Sequence, residues 1–255
     1  MLFGRYVLRT TDVDAAVAFY SQVLGWQAQR RGSGGVFVRR ALAAAATPTL
    51  MAELEPLPER ARSLGAPAHW LGLLAVPDLD AATQRWIQAG ALARGPVQPG
   101  VCGDLQALRD PQGAAIGLCP PPVEPAQGVA FHQLHVPDAE SAFAAYAALV
   151  GWQAGPVSEL GAPWGTYRTF RARDDEPPQG AVLSNAGTPQ VHAQWLFFFA
   201  VDDLAAALQR LRSIGGQVAY EASRADGTHM AVCEDGQGAA FALHQATTER
   251  RIPRV

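Results

Sequence analysis

Two long segments of this chain repeat one another, and this duplication constrains the fold more than any other feature. Residues 12–28 run from DVDAAVAFY to GWQA, and residues 138–154 run from DAESAFAAY to the same GWQA. A shorter pair also repeats, with DPQGAA at residues 110–115 and DGQGAA at residues 235–240. Since self-similarity at a fixed spacing marks a repeated structural unit, the chain is predicted to fold as two similar halves.

The repeat divides the 255 residues into two domains of ordinary size. We expect an N-terminal domain at residues 1–119, a proline-rich linker at 120–128, a C-terminal domain at 129–247 and a short tail at 248–255. A domain of this length buries roughly two thirds of its unfolded surface. Each half is therefore expected to have a core of its own.

Each half contains two helix signals, so the unit of repetition is smaller than a domain. In each signal, apolar residues recur three and four positions apart after an aspartate, a residue that favours helix N-termini. A short β-rich run precedes each helix, and short strands separated by turn residues follow it. The pattern predicts β-α-β-β-β four times, an α+β fold. The predicted helices start at Asp12, Asp78, Asp138 and Asp202-Asp203.

The repeated aromatic residues are predicted to belong to the core. Trp26 and Trp152 occupy one repeated position, which is typical of a packing role. Tyr20 and Tyr146 lie on the apolar stripes of two predicted helices. Because a tyrosine has an apolar ring and a polar tip, we expect their rings in the core and their hydroxyls at the surface.

The order of these motifs resembles the vicinal-oxygen-chelate (VOC) superfamily over roughly residues 3–245. The resemblance rests on a strand, Thr-Asp or Pro-Asp, an alanine-rich helix, Phe-Tyr, Gly-Trp and finally Asp-Pro-x-Gly-Ala. That superfamily contains glyoxalase I, bleomycin-resistance proteins and extradiol dioxygenases, and the likeness is strongest to tandem members related to lactoylglutathione lyase. It implies four βαβββ modules paired into two cupped, barrel-like mixed β-sheet domains, in which a cup holds a metal or a ligand.

The resemblance also locates the positions where VOC enzymes carry metal ligands. One is a His or Gln in the first strand of a module, seven residues before the helix-opening aspartate. The other is a Glu four residues after the turn glycine. Neither position holds a side chain here that ligates a divalent metal, so no cofactor is expected. The residues found are Arg5, Leu71, Phe131, Leu196, Gly117 and Ala242.

A divalent metal in a non-standard site of the second domain is the alternative. Its ligands would be His135, His229 and His244. His135 and His244 are also the candidate catalytic residues, since an imidazole that titrates near neutral pH can act as a general acid or base without a metal.

Candidate ligand-binding residues face both predicted cups. Arg5 and Arg9 share one face of a strand, and two guanidiniums suit a carboxylate or phosphate. Arg9 also matches a position where glyoxalase I carries an arginine that holds a substrate carboxylate. The alternative is that one of the two arginines pairs with an acidic neighbour. The second cup is predicted to present an aromatic and polar lining suited to a planar ligand: Phe131, Gln133, His135, Trp164 and Tyr167.

These observations favour a protein that binds a small planar or anionic organic molecule. The alternative is a metal-dependent lyase, isomerase or dioxygenase with a non-standard site in the second domain. A net charge of −3 gives no electrostatic basis for binding nucleic acid, and no window reaches the ~20 apolar residues of a membrane span. With no signal-peptide pattern and three cysteines without a CxxC pair, a cytoplasmic monomer or homodimer is expected.

Overall fold

Two mixed β-sheets take up the two halves of the chain. The computed structural model describes residues 3–30, 35–40, 48–100, 103–159, 165–187, 191–223 and 228–245. In the first half the elements are β1 (Phe3–Thr10), α1 (Val13–Leu24), β2 (Gln27–Arg30), β3 (Val36–Arg40), β4 (Thr49–Pro56), α2 (Glu59–Ser63), β5 (His69–Ala75), α3 (Leu79–Gln88), β6 (Leu92–Ala93), β7 (Gln98–Gly100), β8 (Gly103–Arg109) and β9 (Ala115–Cys119).

The second half repeats this order of elements. They are β10 (Val129–Val136), α4 (Ala139–Val150), β11 (Gln153–Glu159), β12 (Thr166–Arg171), β13 (Gly180–Ser184), β14 (Gln194–Ala200), α5 (Leu204–Ser213), β15 (Gln217–Ser223), β16 (His229–Glu234) and β17 (Ala240–Gln245). The βαβββ pattern predicted from the sequence is confirmed in all four modules. Module 2 adds the short strand β7, and the short helix α2 joins modules 1 and 2.

The strand order shows how two modules build one sheet. The first sheet runs β2-β3-β4-β1-β5-β9-β8-β6, with β7 paired to β8, and the second runs β11-β12-β13-β10-β14-β17-β16-β15. The first strands of the two modules are antiparallel neighbours at the centre, and the last strand of each module lies parallel beside its own first strand. Each sheet is cupped.

Aspartate side chains fix the starts of the long helices. The carboxylate of Asp12 accepts a hydrogen bond of 2.9 Å from the backbone N–H of Ala15. Asp78, Asp138 and Asp203 cap α3, α4 and α5 in the same way. The four helix starts predicted from the sequence are therefore confirmed.

A continuous core joins the two halves. One cluster of buried apolar side chains contains residues of both sheets and of α1, α3, α4 and α5. Trp26 and Trp152 are each 3 % exposed within it, as predicted. The expectation of a separate core for each half is corrected, because the helix-bearing faces of the two sheets pack against each other.

The two repeated motifs meet across this core. The hydroxyl of Tyr20, on α1, donates to Asp235 in the turn before β17 at 3.1 Å, and Trp70 Nε1 donates to the same hydroxyl at 3.0 Å. The prediction that the tyrosine hydroxyls reach the surface is wrong, because each of them links a helix of one half to a turn of the other. The equivalent residues are Tyr146, Asp110 and Trp195, with distances of 2.9 and 3.1 Å.

No helix in the described ranges is long and apolar enough to cross a membrane. Cys119 and Cys233 are buried free thiols. Burial raises the pKa of the Cys233 thiol to about 12, so it stays protonated and unreactive at neutral pH.

Candidate functional site: the two cups

Each sheet has one face that points away from the helices, and we call these faces the first cup and the second cup. Successive residues of a strand point to opposite faces, so alternate residues of β1 and β10 belong to the cups. Arg5, Val7 and Arg9 thus face the first cup. Small apolar clusters mark both cups, one with Val7, Leu71, Leu73, Leu105 and Cys119, the other with Leu196, Phe198, Met230 and Ala242.

Strand register identifies equivalent positions in the four modules. In the first cup, Val7 is in register with Glu53, and Leu73 with Gly117. In the second cup, the corresponding pairs are Gln133 with Ala181 and Phe198 with Ala242. Glu53 therefore occupies in module 1 the place that Gly117 occupies in module 2. Sequence reasoning missed Glu53, because no Asp-Pro-x-Gly turn precedes β4.

A fully buried ion pair fills the middle of the first cup. Arg5 Nε donates to one carboxylate oxygen of Glu53 at 2.7 Å, and Arg5 Nη2 donates to the other at 2.5 Å. Both side chains are 1 % exposed. This bidentate geometry is the strongest form of the arginine–carboxylate contact, so the guanidinium is already neutralised from inside the protein.

The second arginine of the first cup also has an internal partner. Arg9 Nη2 lies 3.1 Å from Glu55 Oε2, with side chains 10 % and 7 % exposed. His69 is the cross-strand neighbour of Arg9. Burial lowers the pKa of His69, the hydrogen bond to the Pro67 carbonyl opposes this shift, and the charge of Arg9 adds a smaller lowering. The predicted pair of guanidiniums open to an anion is thus corrected: Arg5 and Arg9 do share the cup face, but both pair with acidic neighbours.

The second cup combines an apolar floor with buried, uncharged polar groups. Phe131 and Phe198 face each other across β10 and β14 with ring centroids 5.9 Å apart. Gln133 and His135 are 5 % and 7 % exposed, and both share the face of Phe131. Tyr167 lies in register with Leu183, which is in register with His135. Four of the predicted second-cup residues therefore belong to this face.

The hydrogen bonding of the His135 ring is incomplete. Its Nδ1 lies 2.9 Å from Asn185 Oδ1, a contact between residues 50 positions apart that the sequence did not predict. Its Nε2 is buried and has no hydrogen-bond partner in the described part of the chain. Burial lowers the pKa of His135, and the bond to Asn185 raises it in part. The ring is therefore neutral at pH 7.

The three histidines predicted as an alternative metal site do not come together. Along β14, His135 is level with Gln194 and His244 is level with Ala200, so they lie about 20 Å apart at ~3.3 Å per residue. On β16, Met230 is in register with His244, and His229 with Gln245. His229 is thus one residue away from the position level with His244, so it faces away from the second cup. It is exposed, and its Nδ1 lies 2.8 Å from Ser223 Oγ. Trp164 lies outside the described residues.

Two surface clefts of about 300 and 290 Å³ lie outside the cups, both along α1. The larger is lined by α1 and the turn at residues 235–237, and the smaller by the end of α1 and the start of α5. None of the predicted site residues lines either cleft.

Comparison with known proteins identifies the family of this fold. The model of the Glyoxalase/Bleomycin resistance protein/Dioxygenase superfamily matches residues 2–118 and, a second time, residues 121–243. The chain belongs to this superfamily. The two matches coincide with the two sheets, so each cup corresponds to one VOC unit.

Relatives of known sequence fit the same assignment. The chain is 31 % identical over 248 residues to the "Putative glyoxylase CFP32" of Mycobacterium tuberculosis (strain CDC 1551 / Oshkosh), covering 92 % of this chain and 91 % of that one. It is 34 % identical over 129 residues to the "Anthracycline biosynthesis protein DnrV" of Streptomyces peucetius, covering 45 % of each chain.

Solved structures of the superfamily share the fold at low identity. An Mn(II)-bound glyoxalase from Novosphingobium aromaticivorans superposes with a TM-score of 0.64 at 15 % identity, covering 96 % of this chain and 81 % of that one. The 2,3-dioxygenase LapB from Pseudomonas sp. KL28 has a TM-score of 0.63 at 12 % identity, covering 100 % and 95 %.

The VOC metal positions of this chain do not fit a divalent metal. In the first cup, Glu53 has a ligating side chain at such a position, and Arg5 holds both of its oxygens. In the second cup, the equivalent positions carry carbon side chains. Among the described residues, no group of three or more His, Cys, Asp or Glu side chains is placed to hold a metal. The full set of positions is Arg5, Glu53, Leu71, Gly117, Phe131, Ala181, Leu196 and Ala242.

Proposed function

We propose that this protein binds a small, planar organic molecule in its second cup and that binding requires no metal. The observation that carries the proposal is the buried Nε2 of His135, which has no partner in the described part of the chain. A buried polar atom without a hydrogen bond costs about 1–3 kcal/mol. A ligand that donates a hydrogen bond to this atom would remove the cost.

The contrast between the cups supports the second one as the site. In the first cup the charged groups neutralise each other through Arg5–Glu53 and Arg9–Glu55. In the second cup the aromatic ring of Phe131 is only half-buried. An apolar surface with a few convergent polar groups is the usual lining of a small-molecule pocket.

Ligand-induced shifts in thermal unfolding test the proposal. A library of planar organic compounds is screened against the wild type and against two matched variants, Leu196→Phe in the second cup and Leu71→Phe at the equivalent position of the first. Stabilisation by a ligand is expected in the wild type and in Leu71→Phe, and is expected to be lost in Leu196→Phe. Loss of the shift in Leu71→Phe alone would place the ligand in the first cup and contradict the proposal.

A second candidate function follows from the relatives, one of which is named "Putative glyoxylase CFP32". It is a metal-dependent lyase, isomerase or dioxygenase with a non-standard site. This candidate requires metal ligands outside the VOC metal positions, because Glu53 is the one residue at those positions whose side chain can bind a metal. Thermal unfolding with and without divalent metals separates the two candidates.

We further propose that the protein acts as a monomer. Both cups are completed by modules of the same chain, so no second copy is needed to close either sheet. Light scattering at the concentration used for ligand binding is expected to give the mass of one chain, 27.0 kDa.

A further inference from the structure

The hydrogen bond between His135 and Asn185 sets the tautomer of the imidazole. Because the amide oxygen Oδ1 of Asn185 faces Nδ1 at 2.9 Å, and an amide oxygen only accepts, Nδ1 carries the ring proton. In the neutral ring, Nε2 is then a lone-pair acceptor. What this buried atom lacks is a hydrogen-bond donor.

The groups around His135 disfavour a ligand that brings negative charge. Its neighbours on the cup face are Gln194 and Leu183 on the two flanking strands and Gln133 two residues away on its own strand. These side chains are uncharged. A carboxylate placed against Nε2 would meet a lone pair instead of a donor. The cation on this face of β12, Arg171, lies four positions along the strand from Tyr167, which is level with His135.

The apolar part of the cup favours a flat ring system. Phe131, Leu196 and Phe198 lie on the same face along β10 and β14. Leu196 and Phe198 belong to one buried cluster, and Phe131 packs against it. Aromatic side chains in offset or edge-to-face contact stabilise planar aromatic partners. A ligand therefore has apolar surface to cover at one end of the cup and an acceptor to satisfy at the other.

We infer that the ligand of the second cup is an uncharged planar compound that donates a hydrogen bond from a hydroxyl or ring N–H to Nε2 of His135. The inference rests on the proposed function and narrows it from planar or anionic molecules to hydroxylated or N–H-bearing arenes. The first cup offers no equivalent acceptor, because the residue at the position of His135 is Arg9, paired with Glu55.

Three probes of similar ring size test the chemical class: 2-naphthol, 2-methoxynaphthalene and 2-naphthoate. Their dissociation constants are measured by calorimetric titration with the wild type, with His135→Phe, and with His229→Phe as a control on the other face of the sheet. We expect the wild type and His229→Phe to bind 2-naphthol about fivefold or more tightly than the ether. We expect His135→Phe to bind the two equally, and the carboxylate to bind weakest to the wild type.

The outcomes separate this inference from the function on which it rests. Equal binding of naphthol and ether by the wild type overturns the donor assignment but leaves a planar-ligand site. Tightest binding of 2-naphthoate shows that the cup takes anions and overturns the inference in the same way. No binding by any of the three probes or by the wider library overturns both the inference and the proposed function.

A second readout does not depend on any ligand. In a long-range ¹⁵N–¹H spectrum of histidine-labelled protein, with His135→Phe used to assign the ring, we expect the proton of His135 on Nδ1 at pH 7. A proton on Nε2 would make that atom a donor and would overturn the inference.

Discussion

The hydroxyl of Tyr6 lies 2.7 Å from Nε2 of His132, in the buried layer between the two sheets. The two residues are 126 positions apart, the spacing of the sequence repeat, so a residue of one half bonds to its own counterpart in the other. His132 Nδ1 lies 2.8 Å from the carbonyl oxygen of Gln179 and must donate to it. Nε2 therefore accepts from Tyr6, and the pair marks the pseudo-twofold axis of the fold.

The burial of the His132 ring predicts a pH dependence of stability. Burial lowers the pKa of His132 from 6.5 to about 4, with the bond to Gln179 opposing the shift. The unfolded chain then binds more protons than the folded one between these values, so the free energy of unfolding falls as pH drops from 6.5 towards 4. The expected loss approaches ~1.4 kcal/mol per pH unit and about 3 kcal/mol in all.

Urea unfolding from pH 7 to pH 4 measures this loss, with His132→Gln as the variant that cannot titrate. The difference in unfolding free energy between wild type and His132→Gln is expected to change across the window, while Tyr6→Phe keeps the wild-type slope. Parallel curves for wild type and His132→Gln would show that His132 does not titrate as the structure implies.

The buried pair in the first cup predicts strong coupling between its members. Arg5→Met leaves the carboxylate of Glu53 buried without a partner, and we expect it to cost about 3–5 kcal/mol of unfolding free energy. Adding Glu53→Gln is expected to restore a large part of that loss. Chemical denaturation measures both.

The exposed pair Arg30–Asp14 is the matched control, since its side chains are 69 % and 71 % exposed. Arg30→Met is expected to change the unfolding free energy by less than about 0.5 kcal/mol. Additive effects of Arg5→Met and Glu53→Gln would mean that the two groups do not interact as the structure has them.

Tyr20 and Tyr146 occupy equivalent positions, so the same substitution at each is expected to lower the unfolding free energy by a similar amount. Tyr20→Phe removes the hydrogen bond to Asp235 Oδ2 and the acceptor of Trp70 Nε1, and Tyr146→Phe does the same to Asp110 Oδ2 and Trp195 Nε1. Each is expected to cost about 1–3 kcal/mol. Because the core is continuous, calorimetry of the wild type and both variants should show one unfolding transition. Two transitions, with one variant moving only one of them, would mean that the halves unfold separately.

The side chains at the VOC metal positions predict that divalent metals do not stabilise the protein against unfolding. Thermal unfolding with Mn²⁺, Ni²⁺ or Zn²⁺ is expected to match unfolding in EDTA, because a ligand raises stability only by binding the folded state. A rise in the midpoint that saturates at one metal per chain would favour the enzyme candidate. The same measurement on the Glu53→Gln variant would then show whether the first cup holds that metal.

Local sequence signals predicted the framework of the fold. An aspartate cap and an apolar stripe depend on residues within one or two turns, so the helix starts at Asp12 and Asp138 could be read directly. The duplication supplied the rest, because a repeat allows one module to predict the others. The cup faces of Arg5 and His135 followed from the alternation of strand residues.

The contacts that define the cups could not be predicted in this way. Glu53 is 48 residues from Arg5 and Asn185 is 50 residues from His135, and no pattern within a strand shows which distant side chain lies opposite. His229 was proposed as a ligand beside His135 and His244, but its register turns it to the opposite face, since a shift of one residue in a strand reverses every side chain. Strand register determines which distant side chain lies opposite and which face a residue occupies. Here it depends on how β4, β13 and β16 pair with their neighbours.

The most direct test of the account is a crystal structure of the protein soaked with the compound that raises its unfolding temperature most. We predict ligand density in the second cup, against Phe131 and Leu196 and within hydrogen-bond distance of His135 Nε2, with the Arg5–Glu53 pair intact. Density in the first cup with that pair broken, or a metal bound to Glu53, would contradict it.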